Sequence, residues 1–413
     1  MGFAKRRIAV TGMGIVSAIG GNRDEVTASL REGKSGIRFD ESFAQYNFRC
    51  QVSGQIPLDP ADVLDRRTMR FMGPAAALGY VAASEALEQS GLSEELIKSN
   101  DTAVVAGSGG GSFELQVSIN DTVREKGPKR VGPLAVPKTM GSTVSANLAT
   151  LLGVRGSSYS ISSACSTGAH CIGHGAELIM LGKAKRVVAG GAEELSWALS
   201  GSFDAMGAMS TKYNDTPQLA SRPYDANRDG FVISGGGGMV VLEDWDEAVS
   251  RGATILAELV GYGASSDGAD MVAPSGEGAV RAMEQALGGL YGEAIDKSQI
   301  AYINAHGTST PAGDITEVNA ISQVFGDHRP HIGSTKSMTG HALGAAGSNE
   351  AIYSLLMMQN DFMAQSLNII DRDEGAGDAN LLTQRVDGAY DYALSNSFGF
   401  GGTNAVLVFR KVG

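Results

Sequence analysis

Short runs of β-branched and other apolar residues alternate along the chain with alanine-rich helical patterns. Eight runs predict strands: Arg7–Thr11, Thr102–Ala106, Arg186–Ala189, Met239–Leu242, Ile255–Val260, Ile300–Asn304, Tyr392–Ser395 and Ala405–Phe409. Helical patterns lie near residues 74–90, 165–181, 278–290, 314–325 and 343–358. This alternation predicts an α/β fold in which a mixed or mostly parallel sheet is covered by helices.

The glycine content narrows the kind of α/β protein. The chain has 56 glycines in 413 residues, roughly twice the average usage. They follow no collagen-like period and form no linker, but fall at strand ends and helix starts. Glycine at such positions lets backbone approach backbone or ligand closely. A compact enzyme is therefore favoured over a repeat or disordered protein.

Two segments of the chain resemble one another. Ser163–Ala169 and Thr339–Ala345 are both small-residue segments that run into an apolar helical pattern. If the chain consists of two similar halves, residues 1–252 and 253–413, Cys165 and His341 occupy equivalent helix starts and face one cleft. Chance similarity between two segments rich in glycine and alanine is the alternative.

Charge and cysteine content exclude several classes of protein. The net charge of −12 argues against general nucleic-acid binding, which needs a basic surface. Two short basic runs, around residues 66–70 and 124–130, are either solvated surface charge or a docking surface for an acidic partner. Three cysteines are too few for a disulfide framework, so we expect a reducing, cytoplasmic setting. No stretch reaches the ~18–20 apolar residues of a membrane span, so we expect no membrane insertion.

Cys165 lies where a strand-like pattern changes to a helical one. The N-terminal end of a helix offers unpaired N–H groups and partial positive charge, which favour a thiolate and predict a lowered cysteine pKa. A buried structural cysteine is the alternative. The position at a strand-to-helix junction favours a nucleophile.

Two histidines occur in equally glycine-rich segments. His306 follows a predicted strand and precedes a hydroxyl-rich loop, and His341 lies five residues after Lys336. A cysteine and two histidines in such settings suggest thiolate chemistry on a thioester. Lys336 and Glu350 form either a surface pair or a buried pair that holds the histidine site. Downstream of His306, the spacing of Asp314 and Glu317 predicts a helix capping box.

Three other motifs are weaker than they look. Gly12-Met-Gly14 follows a predicted strand, but Ser17 replaces the third glycine of a dinucleotide fingerprint. His170-Cys171-Ile-Gly-His174 has neither an acidic residue between its histidines nor a second cysteine pair, so we expect no metal site. The run Gly107–Ser112 does not match the G-x-S-x-G pattern of a hydrolase nucleophile.

Across essentially its whole length the chain resembles the β-ketoacyl-acyl-carrier-protein synthases. The resemblance is carried by five segments: Ser163–Thr167, Ser221–Phe231, Asn304–Pro311, Lys336–His341 and Ser395–Asn404. The type I synthases are resembled more closely than the type II synthases at Gly235–Gly238 and Phe203–Asp215. A synthase II-type enzyme, with a preference for longer acyl chains, is the alternative. A degradative thiolase would need a cysteine after Cys171, and a synthase III or chalcone-synthase-like enzyme an asparagine at the position of His341.

The resemblance implies a thiolase-like fold with duplicated halves, a homodimer and a decarboxylative Claisen condensation. Malonyl-acyl-carrier-protein would react with an acyl-enzyme thioester to give 3-oxoacyl-acyl-carrier-protein in bacterial fatty-acid elongation, including unsaturated chains. Both substrates would be carried on the 4′-phosphopantetheine of an acidic acyl carrier protein, and no cofactor would be bound.

The resemblance also implies a role for individual residues. Cys165 would accept the acyl chain, while His306 and His341 donate hydrogen bonds to the malonyl thioester oxygen. Lys336 and Glu350 would support the histidines. The N–H groups of Cys165 and Phe400 would form an oxyanion hole, with Phe398 and Phe400 as gating aromatics. The remaining implied contacts are those to the pantetheine arm, by Thr308 and Thr310, and to the carrier surface, by Arg66, Arg67, Arg70, Arg124 and Lys129.

Overall fold

A computed structural model describes residues 6–412. The strands in this part of the chain are β1 Ile8–Val16, β2 Ile37–Phe39, β3 Val52–Gly54, β4 Thr102–Gly107, β5 Ser158–Tyr159, β6 Arg186–Glu193, β7 Gly236–Asp244, β8 Ala257–Ser266, β9 Ile300–Asn304, β10 His331–Gly333, β11 Phe362–Met363, β12 Val386–Asp387, β13 Tyr392–Gly399 and β14 Thr403–Lys411.

The α-helices of the same residues are α1 Arg23–Glu32, α2 Glu41–Gln45, α3 Pro60–Val63, α4 Pro74–Ser90, α5 Glu94–Ile97, α6 Phe113–Lys126, α7 Ala135–Thr139, α8 Thr143–Leu152, α9 Thr167–Met180, α10 Trp197–Met206, α11 Trp245–Ser250, α12 Glu277–Leu287, α13 Gly313–Phe325, α14 Lys336–Thr339 and α15 Ala346–Gln359. None of these helices has the length and apolar composition needed to cross a bilayer.

Ten strands form one mixed sheet with an internal repeat. Their order is β10-β9-β13-β14-β8-β1-β7-β6-β4-β5, and β1 and β8 pair antiparallel at its centre. From that pair outward, each side adds two antiparallel neighbours and then two parallel ones. The predicted α/β fold with a mixed sheet and covering helices is confirmed. The predicted domain boundary, residues 252 and 253, lies between α11 and β8.

The local predictions agree with the elements to within a few residues. All eight predicted runs overlap strands of the large sheet, and the five helical patterns correspond to α4, α9, α12, α13 and α15. The largest difference at a strand start is at Met239, because β7 begins three residues earlier, at Gly236.

Glycines in the two central strands let helices pack against the sheet. A Cβ on Gly12 or Gly14 of β1 would lie 2.0 Å from a carbonyl oxygen of α4. On Gly261 and Gly263 of β8, the corresponding distances to carbonyl oxygens of α12 would be 2.3 Å and 1.9 Å. The glycines of Gly12-Met-Gly14 therefore allow α4 to pack closely against β1. Gly261 and Gly263 do the same for α12 and β8 in the other half of the chain.

The helices α9 and α15 pack against each other through a second equivalent pair of glycines. A Cβ on Gly168 would lie 2.6 Å from the backbone nitrogen of Ser348, and one on Gly347 would lie 2.7 Å from that of Ala169. Each contact is made at the first turn of its helix. The start of α9 and the start of α15 are thereby held together in the interior.

The register predicted for the internal repeat is wrong by three residues. Each helix follows a single 3₁₀ turn, Ala164–Ser166 or Leu343–Ala345, and both turns begin with positive φ, 49° at Ala164 and 47° at Leu343. The residue equivalent to Cys165 is therefore Gly344, not His341. Segments rich in glycine and alanine match in several registers, and the left-handed residues that define the correct one are not glycines.

The glycine contacts predict a steep cost for one added methyl group. We expect Gly14→Ala to lower the free energy of unfolding by about 1–3 kcal/mol or more, because its Cβ has to displace α4 from β1. Urea denaturation measures the difference. Gly141→Ala is the matched control, since a Cβ there meets nothing within 4 Å. Equal unfolding midpoints for the two variants would contradict this account of the packing.

Candidate active site

One cavity, with a volume of about 490 Å³ and largely apolar walls, brings together half of the fourteen candidate site residues singled out from the sequence. Seven of them line it: Cys165, His306, Thr308, Thr310, His341, Phe398 and Phe400. They come from the starts of α9 and α15, from the loop after β9 and from the turn between β13 and β14. The two halves of the chain therefore both contribute to one site.

Cys165 lies in the 3₁₀ turn before α9, and 7% of its surface is exposed. The preceding residue, Ala164, has the left-handed φ of 49°, a conformation that costs energy and persists only where its surroundings enforce it. The end of β13 packs against this turn: a Cβ on Gly399 would lie 3.1 Å from the Cys165 backbone nitrogen. The next N–H in the chain, that of Phe400, donates to the Cys165 thiol.

The expectation of a lowered cysteine pKa is wrong in direction. Burial raises the pKa of the Cys165 thiol to about 11, although the Lys336 charge and the Phe400 N–H both act to lower it. The free-energy cost of removing a thiolate from water is larger than the stabilisation that these two interactions give it. The resting cysteine is therefore a thiol that gives up its proton when it reacts.

His306 and His341 stand edge to face beside the cysteine. Their ring centroids are 5.3 Å apart at an interplanar angle of 85°, and a sulfur or ring nitrogen from each of Cys165, His306 and His341 lies within 4.8 Å of the others. Burial, followed by the Lys336 charge, lowers the pKa of both imidazoles well below the usual value. Both rings are therefore neutral at physiological pH and suited to donate hydrogen bonds.

Lys336 determines which nitrogen of His306 carries the proton. The lysine Nζ lies 3.3 Å from His306 Nδ1, and an ammonium group has donors but no acceptor. Nδ1 therefore accepts, which leaves the proton on Nε2, and His306 presents an N–H to the cavity. No hydrogen-bond partner is found for the buried Nδ1 of His341 among the described residues, so its tautomer is not fixed in this way.

Lys336 and Glu350 form a buried pair, not a surface pair. Lys336 is 1% exposed and Glu350 2% exposed, and the lysine Nζ donates to Glu350 Oε1. Burial raises the pKa of Glu350 to about 7, against the opposing effect of the Lys336 charge. The pair lies behind His306 and does not line the cavity.

Asp314 and Glu317 do not form the predicted capping box. Helix α13 begins at Gly313, and both carboxylates accept backbone N–H groups from outside the helix. Asp314 accepts the backbone N–H groups of Ser309 and Tyr224 at 3.0 Å, and Glu317 accepts that of His306 at 2.8 Å. Buried backbone N–H groups need acceptors, and the two acids supply them to the loop after β9 and to Tyr224.

Arg228 fixes the hydroxyl-rich loop from its other side. Its guanidinium donates to the carbonyl oxygens of Thr310 and Pro311 at 2.9 and 2.7 Å, and to the Asp373 carboxylate at 2.6 Å. The hydroxyls of Thr308 and Thr310 lie 3.1 Å apart. Arg228 lies in the recognisable segment Ser221–Phe231, but the sequence predicts no role for it, because its partners are distant in the chain.

Glu193 is a second buried residue that the sequence analysis missed. Its carboxylate is fully buried and accepts from the Ser108 hydroxyl at 2.6 Å and from the N–H groups of Gly109 and Gly344 at 2.8 and 3.0 Å. It thus joins the loop after β4 to the turn before α15. The glycine run Gly107–Ser112 indicates an anion site in the sequence, since consecutive glycine N–H groups can bind an anion. It does not indicate that the anion is Glu193.

The basic residues proposed for carrier docking lie outside the cavity. All are exposed, and they form two groups. Arg66, Arg67 and Arg70 precede α4 in the chain, whereas Arg124 is in α6 and Lys129 in the 3₁₀ turn Pro128–Arg130 that follows. Arg124 also pairs with Asp121 at 2.9 Å.

The histidines of the rejected metal motif have other partners. His170 Nδ1 lies 2.8 Å from the Ser163 hydroxyl. His174 contacts the Tyr159 hydroxyl at 2.9 Å and the Glu177 carboxylate at 3.0 Å.

The chain matches two family profiles and has close full-length relatives. Residues 5–248 match the N-terminal domain of beta-ketoacyl synthase, and residues 256–370 its C-terminal domain. The 3-oxoacyl-[acyl-carrier-protein] synthase 1 of Haemophilus influenzae is 56% identical, over 98% of this chain and 99% of that protein. The enzyme of the same name from Escherichia coli K12 is 54% identical over the same shares.

Solved structures agree with these matches. A beta-ketoacyl synthase from Burkholderia phymatum superimposes with a TM-score of 0.92 at 35% identity, covering 99% of this chain and 100% of that one. A ketosynthase solved in complex with its type II PKS acyl-carrier protein gives a TM-score of 0.89 at 30% identity, with the same coverage. The resemblance inferred from the motifs is confirmed: the chain belongs to the β-ketoacyl synthase family.

Proposed function

We propose that this chain catalyses the decarboxylative condensation of malonyl-acyl-carrier-protein with an acyl group held on Cys165. The observation that carries the proposal is the convergence of one thiol and two neutral imidazoles, one of which has its proton fixed toward the cavity. The product is 3-oxoacyl-acyl-carrier-protein, and the setting is fatty-acid elongation in the cytoplasm. The substrates arrive on phosphopantetheine arms, and the chemistry needs no bound cofactor.

In the first half-reaction Cys165 takes the acyl chain from its carrier. The sulfur attacks the acyl thioester carbonyl, the carrier thiolate leaves, and the proton of the Cys165 thiol passes to that leaving group. The Phe400 N–H, which already points at the thiol, and the Cys165 N–H supply the oxyanion hole for the tetrahedral intermediate. Phe398 and Phe400 line the cavity beside the thiol and act as gating aromatics.

In the second half-reaction malonyl-acyl-carrier-protein enters and loses carbon dioxide. His306 and His341 donate hydrogen bonds to its thioester oxygen and so stabilise the enolate that forms. The enolate carbon attacks the acyl-Cys165 carbonyl, and collapse of the intermediate expels the Cys165 thiolate, which takes a proton from water to restore the resting thiol. Because the departing carbon dioxide leaves its electron pair on carbon, neither histidine has to act as a strong base.

The threonine loop and the surface arginines are proposed to hold the carrier. Thr308 and Thr310 line the cavity and bind the pantetheine arm through their hydroxyls. Arg66, Arg67, Arg70, Arg124 and Lys129 meet the acidic carrier surface. The known complex of a related ketosynthase with its carrier protein supports a partner of this class.

Synthase I-type elongation, including unsaturated chains, is the version of the proposal that we favour. Relatives named synthase 1 are 54–56% identical to the chain, whereas the relative named synthase 2 from Vibrio harveyi is 42% identical over 99% of the chain. Elongation of saturated and cis-unsaturated acyl carriers of increasing length distinguishes this from a synthase II-type preference for longer chains.

The role assigned to each catalytic residue predicts separable defects. Cys165→Ala should abolish condensation and leave decarboxylation of malonyl-acyl-carrier-protein, because the histidines remain. His306→Ala and His341→Ala should each slow decarboxylation on the order of 10²–10³-fold, the loss expected for one oxyanion donor, while acyl transfer to Cys165 persists. Carbon dioxide release and mass spectrometry of the acyl-enzyme measure the two steps.

The Cys165 and histidine variants serve as controls for one another. If Cys165→Ala still catalysed condensation, Cys165 would not be the nucleophile. Loss of acyl transfer with intact decarboxylation in a histidine variant would show that the roles are reversed.

Carrier docking predicts a salt-dependent change in KM. Reversing charge at Arg66 and Arg67 should raise KM for the carrier substrate, most strongly at low ionic strength, because exposed charges are screened by salt. The matched control is Lys183→Glu, an exposed lysine beyond the opposite end of α9 from Cys165. An unchanged KM at low salt would exclude this surface.

The homodimer implied by the resemblance has support from one edge of the sheet. Strand β5 ends the ten-stranded sheet, no residue of α6 is buried in the single chain, and the α7 residue Val136 is 71% exposed. We propose that a second copy covers this region. Light scattering should therefore give twice the mass of the chain, and a monomer at micromolar concentration would contradict the proposal.

A further inference from the structure

The catalytic cluster also has the geometry of a metal site. One potential ligand atom from each of Cys165, His306 and His341 lies within 4.8 Å of the other two, a grouping found at no other place in residues 6–412. Once the Cys165 thiol has given up its proton to a bound cation, a thiolate and two neutral imidazoles suit Zn²⁺ and similar borderline-soft cations. Catalytic zinc sites leave a fourth position open to a cavity. The condensation proposed above uses none of this coordination chemistry.

Lys336 opposes metal binding through the tautomer of His306. The lysine ammonium donates to His306 Nδ1 at 3.3 Å. The other ring nitrogen, Nε2, therefore carries the proton and faces the cavity. A protonated ring nitrogen has no lone pair for a metal. Coordination would require the proton to move to Nδ1, which would break the hydrogen bond and direct an N–H at the ammonium.

The position of Lys336 makes this constraint hard to relax. The side chain is 1% exposed and paired with Glu350, so its ammonium cannot swing into solvent when a cation approaches. Its charge also repels a dication at the cluster. The His341 ring has no comparable partner at Nδ1 among the described residues, so the block acts through His306.

We propose that Lys336 excludes metal from a latent Cys-His-His site for a borderline-soft divalent cation. This exclusion is separate from the condensation reaction and follows from the 3.3 Å contact between Lys336 Nζ and His306 Nδ1. Removing the ammonium frees Nδ1 to carry the proton and Nε2 to coordinate. The same change removes the ion-pair partner of the Glu350 carboxylate. Carboxylates commonly orient metal-ligating histidines.

Titration with Co²⁺ tests the proposal, because cobalt bound to a thiolate gives a charge-transfer absorption band. Lys336→Met should bind one Co²⁺ per chain 10–100-fold more tightly than the unmodified protein, the change equivalent to one charge-assisted hydrogen bond. The charge-transfer band should disappear in Lys336→Met combined with Cys165→Ala. Lys336→Met affinity equal to that of the unmodified protein would overturn the proposal.

A second variant guards against loss of the fold. Lys336→Met leaves a buried carboxylate unpaired, which destabilises proteins strongly, whereas Lys336→Met with Glu350→Leu removes both charges. This double variant lacks the same ammonium and should also bind Co²⁺ more tightly than the unmodified protein; no gain in affinity would overturn the proposal. The titration reads metal binding, so failure of the proposed condensation would appear only in the activity assays.

Discussion

The contact between α9 and α15 is the constraint on which the site depends. Gly168 and Gly347 allow the first turns of the two helices to approach to backbone distance, and each half of the chain supplies one of them. Any larger residue at either position would separate the turn that carries Cys165 from the segment that carries His341. The glycine content of the sequence is in this sense a requirement of the active site, which exists only where two similar halves meet.

A second layer of buried charge holds the site in shape. Glu193, Glu317, Asp314 and the Lys336–Glu350 pair are each at most 3% exposed, and their partners are mainly backbone N–H groups and loop residues. Burial raises the pKa of the Asp314 carboxyl to about 7 and that of Glu317 above its usual value. Such groups stabilise a fold only when their hydrogen bonds are satisfied, so they specify one conformation of the loops around the cavity.

The sequence predicted eight of the ten strands of the large sheet, the helices α4, α9, α12, α13 and α15 and the side chains that converge at Cys165, because these depend on local periodicity and recognisable motifs. It did not predict α6, which is as long as α9 but has no buried residue. It did not predict Glu193 or Arg228 as organisers of the site, since their partners lie far away in the chain. It misplaced Asp314 and Glu317 for a related reason: the spacing of a capping box is local, whereas the demand from buried loop N–H groups is not. The direction of the shift in the Cys165 pKa depended on how deeply the thiol is buried, which a helix start alone does not reveal.

The charge balance of the cavity explains how one site serves two steps. In the resting state the Cys165 thiol is protonated and both imidazoles are neutral. The opposite charges of the Lys336–Glu350 ion pair lie behind His306, outside the cavity. In the proposed condensation, negative charge then enters with the malonyl carboxylate and moves to the thioester oxygen as carbon dioxide leaves. The proposed role of the neutral N–H fixed on His306 is to stabilise that oxygen by a hydrogen bond while keeping its own proton. An imidazolium would protonate the enolate and end the reaction before a carbon–carbon bond could form.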